Sequence, residues 1–326
     1  MKTKIPLLIT FSLLCFRFLP ETEAINPPPP GGYPNFTTAA GDHALQALTL
    51  GFGNTAIGTY SSFSVTTGTF NTSVGAGALD LNTTGTENTA NGTAALEFNS
   101  TGDRKTATRA FALFSNTTGG SNTVNESQAL VNNTTGNQNT ANGFQALLSN
   151  TVGDSNAATG NNALVSNTEG GFNTATGDSA LHNNTTGSSN TVSALPGNTT
   201  GNNNTGAGVN TLFHNTTGSN NIALGVSAGE NRTTGNNNID IGNEGVAADA
   251  DTIRIGDSQT KTFIAGIREV TTSKAGDTGR SPLFEVALVL VRFIHVARCV
   301  VNANHGLRFA SSNGMTRSTS LVESRM

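Results

Sequence analysis

The chain of 326 residues has no tryptophan, two tyrosines and two cysteines, and only 12% of its residues are charged. That charged share is about half of what an ordinary globular protein carries. Aromatics make up 6% of the chain, nearly all of them its 17 phenylalanines, so a large jigsaw core is not expected. Scarce charge, with glycine and asparagine in excess, could mean disorder, but a strict repeat with fixed apolar positions argues for order.

The apolar run near the start is short. Lys2 and Lys4 form a basic segment, Ile5 to Leu14 an apolar one, and Thr22-Glu23-Ala24 a small-x-small site. This is the pattern of a secretory signal over residues 1–24, with the mature chain starting at Ile25. Arg17 interrupts the run, which is too short for a comfortable membrane span. Cys15 follows the bulky Leu14, unlike a lipoprotein signal. After cleavage only Cys299 remains, so no internal disulfide framework is available to an exported protein. Residues 25–33, with four consecutive prolines, read as an extended linker.

What is abundant is one sentence, written over and over. Gly51, Gly68, Gly85, Gly102, Gly119, Gly136, Gly153, Gly170 and Gly187 are each 17 residues apart. One rung three residues lighter reaches Gly201, and the spacing then resumes at Gly218 and Gly235. A degenerate rung begins at Pro34. The consensus is G-x-x-N-T-A-x-G-x-x-A-L-x-x-N-T-T, in about thirteen rungs over residues 34–251, with 252–272 closing the array. Positions below are numbered from the first glycine of that consensus.

A 17-residue period is too short for paired-helix repeats and too long for collagen or a heptad. It predicts an all-β fold, a β-solenoid or β-roll with one coil per repeat. Asn-Thr-Ala-x at positions four to seven reads as the strand. Glycine at position eight is a corner where positive φ or close approach is needed, and Asn-Thr-Thr-Gly is turn chemistry. The Ala-Leu segment is either a second strand or a short helical turn. Burying one Leu yields about 1.5–3 kcal/mol, against about 1–2 kcal/mol of backbone entropy per ordered residue, so a single thin coil favours self-association. Positions five and seven share a strand face. They are apolar at the C-terminal end (Ile222, Leu224, Ile239, Ile241) and at position seven of the N-terminal end (Ile57, Val74), and polar in the middle (Asn91, Thr108, Asn125, Asn142, Thr159, Thr176). That face meets either partner subunits or, instead, the coil interior or solvent.

"NTAIG" at Asn54–Gly58, "NTSVG" at Asn71–Gly75 and "NNIALG" at Asn220–Gly225 resemble the head repeats of trimeric autotransporter adhesins. NTAxG…AL…NTTG arrays occur likewise in exported bacterial and tail-fibre-like proteins. "DTIRIGDSQTKTFIAGIREVTT", Asp251 to Thr272, resembles the segment that closes such arrays. The resemblance implies a left-handed parallel β-roll, a homotrimer, and display at or beyond the cell surface.

After Thr272 the pattern departs from that family: no coiled coil, no chaperone peptidase and no terminal aromatic of a barrel anchor follow. Residues 34–272 carry 7 basic and 16 acidic residues, net −9; residues 273–326 carry 7 and 3, net +4. The tail is a lineage-specific domain or sequence out of the ancestral frame, poorly ordered or forming a short helix. Glu285, Arg292, His295 and Arg298 punctuate its apolar stretch, which excludes a simple span.

Chemistry is sparse. His43, His182, His214, His295 and His305 have no accompanying cluster of Cys or carboxylates, so no metal site is expected. The GGxGxD calcium pattern is missing, no GxSxG elbow or Cys-His pairing offers a nucleophile, and the acidic array disfavours nucleic acid. The expectation is no enzyme, no catalytic residue and no cofactor. Sequons such as Asn82, Asn116 and Asn133 belong to the repeat itself. Arg109 and Glu126 replace the corner glycine in consecutive rungs, and stacking about 4.8 Å apart predicts that they touch.

The leading expectation is a secreted or cell-surface, adhesin-like protein that attaches to cells or matrix by multivalency, with a passive spacer as the alternative. Ice-binding solenoids use flat Thr-x-Thr columns, which the sequence does not reproduce. Specific binding residues are not identified. They would lie among the variable positions, represented in one rung by Asn137, Gln138, Phe144 and Gln145.

Overall fold

The computed structural model describes residues 34–260. The expected signal, the Pro-rich linker, the tail after 272, Cys299, His295 and His305 lie outside the described residues.

A 3₁₀ turn at Pro34–Phe36 opens the array, and fourteen short strands follow, from β1 (Thr38–Ala40) to β14 (Ile253–Ile255). Each pairs with the next in parallel, giving one sheet whose order is the order of the chain. Parallel neighbours cannot be joined by a hairpin, so each connection circles back beside its start. The result is a β-solenoid of about thirteen turns with almost no helix. Pairing is in register, as in Thr140↔Ala157, Ala141↔Ala158 and Asn142↔Thr159. Stacking at about 4.8 Å per rung makes a rod roughly 60 Å long.

The core is thin and made almost wholly of alanine and leucine. Position six (Ala90, Ala107, Ala141, Ala158), position eleven (Ala95, Ala146) and position twelve (Leu96, Leu147) are fully buried. Between them run two asparagine columns, also fully buried, at position four (Asn122, Asn139) and position fifteen (Asn133, Asn150). An unpaired buried amide costs about 1–3 kcal/mol, so these columns persist because each rung satisfies the next. Asn150 Nδ2 donates to Asn133 Oδ1 at 2.9 Å and to Gly153 O at 3.0 Å. Asn139 Nδ2 donates to the same Gly153 carbonyl at 2.8 Å. Both columns therefore converge on the carbonyl at position one. A Cβ on Gly153 would lie 2.4 Å from Asn150 Oδ1 and 2.5 Å from Gly170 O, so position one requires glycine for close approach. Position sixteen adds a third column, with Thr134 Oγ1 donating to Thr151 O and Thr151 Oγ1 to Thr168 O, both at 3.1 Å.

The Ala-Leu segment is neither strand nor helix. It is a chain of turns in which positions ten and twelve are left-handed: Gln145 has φ 58° and Leu147 φ 55°. Position three is left-handed as well, as in Gln138 at 58°. This geometry aims Leu147 inward while its N–H reaches Ala163 O in the next rung at 2.9 Å. Fully satisfied amides compensate a backbone cost of about 1–2 kcal/mol per left-handed residue. The light rung omits positions eight to ten: strand β10 (Thr191–Val192) runs through Ser193 straight into the buried Leu195.

Candidate functional site

Within each strand the middle residue points into the coil, while positions five and seven point out, exposed or half-buried. This settles the orientation left open by alternation: the shared face is the outer face of the chain. Position five is threonine from Thr38 to Thr205 with one exception, Ala157. Position seven runs Asn91, Thr108, Asn125, Asn142, Thr159 and Thr176 through the middle. One outward threonine column therefore exists, but the second column is mixed, and Thr-x-Thr occurs only at Thr106/Thr108 and Thr174/Thr176. Neither column holds a charged residue along its whole length. Thr108 Oγ1 donates to Asn125 Oδ1 at 2.5 Å, linking neighbouring rungs on the outside.

The face changes character at its C-terminal end. Ile222, Leu224, Ile241, Ile253 and Ile255 are exposed there, with Ile239 half-buried between them. Three adjacent strands thus present a continuous aliphatic surface to solvent. Where the light rung stacks, small side chains at position seven leave an open depression of about 230 Å³ lined by Thr174, Thr176, Thr191, Ser193, Thr205 and Ala207.

Three departures from the consensus, Lys105, Arg232 and Asp240, and one pair at a variable position, Asp80 and Glu97, bring ionisable groups into or against the core. Arg232 takes position fifteen, ending that asparagine column, and Asp240 takes position six. Both are fully buried and form a bidentate pair, Nε to Oδ2 at 2.6 Å and Nη2 to Oδ1 at 2.9 Å. Because Arg232 turns to Asp240, Asn215 Oδ1 has no donor among the described residues. Asp80 and Glu97 occupy position thirteen in adjacent rungs. Burial lifts the Asp80 carboxyl to about 6, and burial together with the Asp80 charge lifts Glu97 to about 7. Lys105 replaces the asparagine at position four and is 1% exposed. Its burial lowers the ammonium to about 7, partly opposed by the Asp103 charge.

The residues marked in the sequence fare differently. Arg109 and Glu126 do touch, Nε to Oε2 at 3.3 Å, with Arg109 well exposed and Glu126 partly so, which limits the pair to about 1 kcal/mol at most. The described histidines do not converge. His43 stacks on Tyr60 at 4.9 Å, His182 contacts Asn183 Oδ1, and His214 contacts Glu230 O. Among the described residues, no group of three or more His, Cys, Asp or Glu is placed to hold a metal ion. No described helix is long and apolar enough to cross a membrane. The sequons Asn82, Asn116 and Asn133 lie in the buried column, where their side-chain nitrogens are occupied by the ladder.

The chain matches no family model and no curated protein.

Sequence reasoning missed the left-handed positions and the ionisable substitutions. A signal for the first existed: no β-branched residue appears at positions three, ten or twelve in any rung from Gly51 to Gly218, as expected where Val, Ile or Thr would be strained. Asp80 and Glu97, 17 apart, were likewise visible as column neighbours.

Proposed function

We propose that this chain is an exported, adhesin-like structural repeat protein, secreted or held at the cell surface, that attaches to cells or matrix through many weak contacts along its outer strand face. The observation that carries the reading is the uncharged Thr/Asn face, repeated rung after rung at a fixed spacing. Identical weak contacts on a rigid rod raise avidity without any single strong site. The exposed aliphatic surface of the last three strands supports self-association, most simply as a homotrimer, since such surfaces mark interaction sites. Non-enzymatic action is part of the proposal.

Adhesion of the purified chain to cells and matrix-coated surfaces tests it, alongside light scattering after size exclusion. Retention that grows with oligomer number supports attachment. Absence of retention on every surface, with a stable oligomer, would leave a passive spacer, a reading favoured by how many repeat residues are spent on internal ladders. A monomer at all concentrations removes the homotrimer.

A further inference from the structure

Lys105 stands in a column that is asparagine at Asn54, Asn71 and Asn88 before it and at Asn122, Asn139 and Asn156 after it. Its Nζ takes over the asparagine's duty, donating to Gly119 O at 3.0 Å. Being longer, it also donates to Asn99 Oδ1, in the other column, at 2.6 Å. The other fully buried cation among the described residues, Arg232, has Asp240 as counter-ion. Among the described residues Lys105 forms no ion pair.

We propose that Lys105 and Asn99 close an intramolecular isopeptide bond, with Nζ displacing the Asn99 side-chain nitrogen as ammonia. A desolvated lysine with no carboxylate in direct contact, its burial only partly offset by the Asp103 charge, sheds its extra proton and becomes a nucleophile. The Asn99 amide is held with its carbonyl towards that amine. Its Nδ2 donates to Asn82 Oδ1 at 2.7 Å and Gly102 O at 3.0 Å, which fixes Oδ1 on the opposite side. Both partners are immobilised in the core, so attack is an intramolecular event between pre-oriented groups. Asn116 Nδ2 donates to Asn99 Oδ1 at 3.3 Å and stands where negative charge develops.

The step balances without an oxidant or co-reactant. The Nζ lone pair forms a bond to Asn99 Cγ, giving a tetrahedral intermediate with negative charge on Oδ1. One Nζ proton passes to Nδ2, the Cγ–Nδ2 bond breaks, and ammonia leaves. The product amide keeps its N–H on the Gly119 carbonyl side and its carbonyl on the Asn116 side. It loses the two hydrogen bonds donated by Nδ2. No carboxyl among the described residues hydrogen-bonds to either group, so the proton moves directly between the nitrogens and closure is slow. Its rate rises as the solution passes above neutral pH, where the Lys105 ammonium has become the neutral amine. The bond ties the rung beginning at Gly85 to the next across a short loop.

Intact-mass spectrometry of the purified full chain, fresh and after long incubation above neutral pH, tests this. The expected result is progressive loss of one ammonia, with a branched peptide joining Asn99 to Lys105 that survives cleavage after Arg104. Lys105→Asn restores the column residue and keeps full mass; Lys105→Met, which also lacks the amine, does the same. An unchanged mass in the incubated wild type overturns the proposal. So does equal ammonia loss in Lys105→Asn without the branched peptide in the wild type, which would mean cyclisation of asparagines onto their own backbone, first at Asn-Gly pairs such as Asn91-Gly92 and Asn142-Gly143.

Discussion

Replacing Asn150 by Ala probes whether the buried amide columns hold the rod together. The substitution removes both bonds donated by Nδ2, to Asn133 Oδ1 and Gly153 O, and the bond that Oδ1 accepts from Asn167 Nδ2 at 2.8 Å. Gly153 O keeps its second donor, Asn139. Asn133 Oδ1 is orphaned outright, and Asn167 Nδ2 keeps only Gly170 O, at 2.9 Å. Two buried polar positions at about 1–3 kcal/mol each give a loss of about 2–6 kcal/mol. The control is Asn142→Ala, on the exposed face of the same rung, where the only side-chain bond is a long 3.5 Å contact from Asn125; its cost should stay within about 0.5 kcal/mol. In a quasi-one-dimensional stack the damage concentrates in the rungs that meet the mutation. Urea unfolding followed by circular dichroism reads the global loss, and native-state hydrogen exchange at Thr134, Thr151 and Thr168 reads the local one. Equal midpoints for the two variants, with undiminished protection at these amides, would refute the idea that the columns carry stability.

Asp240→Ala should cost about 3–5 kcal/mol, because it strands the Arg232 guanidinium in the core. The double variant Arg232→Asn with Asp240→Ala should recover most of that loss in the same urea assay, since it restores the consensus rung and supplies Asn215 Oδ1 with a donor. Leu147→Ile conserves volume yet should cost about 1–3 kcal/mol, as a β-branched residue is forced to φ 55°; a midpoint equal to wild type would remove the strain argument. Asp80 and Glu97 titrate at about 6 and about 7 when folded, above 3.8 and 4.5 when free. Over that window the folded chain binds more protons than the unfolded chain, so their contribution to stability falls as pH rises. Urea midpoints at about pH 5 and about pH 8 should show this slope, and Glu97→Gln should flatten most of it.

The sequence alone determined the rung. A 17-residue period held from Gly51 to Gly187 can be satisfied only by stacking equivalent residues, and in-register stacking puts residues i and i+17 side by side. That is why the Arg109–Glu126 contact could be foreseen from two substitutions in one column. It is also why glycine, the Ala-Leu pair and the asparagines are assigned to a shared coil by the sequence alone. Contacts across the coil obey no such rule. Lys105 meets Asn99 six residues back, and Arg232 meets Asp240 eight residues on; both depend on the shape of the cross-section, which period does not encode. Strand alternation grouped Thr140 with Asn142 but could not say which side of the strand faces water. The left-handed turns decided that, by folding Leu147 and the two asparagine columns inward behind Ala141. Sequence thus set what repeats along the axis, and tertiary structure set what meets across it, because side-chain neighbours across a coil are chosen by backbone curvature rather than by spacing in the chain.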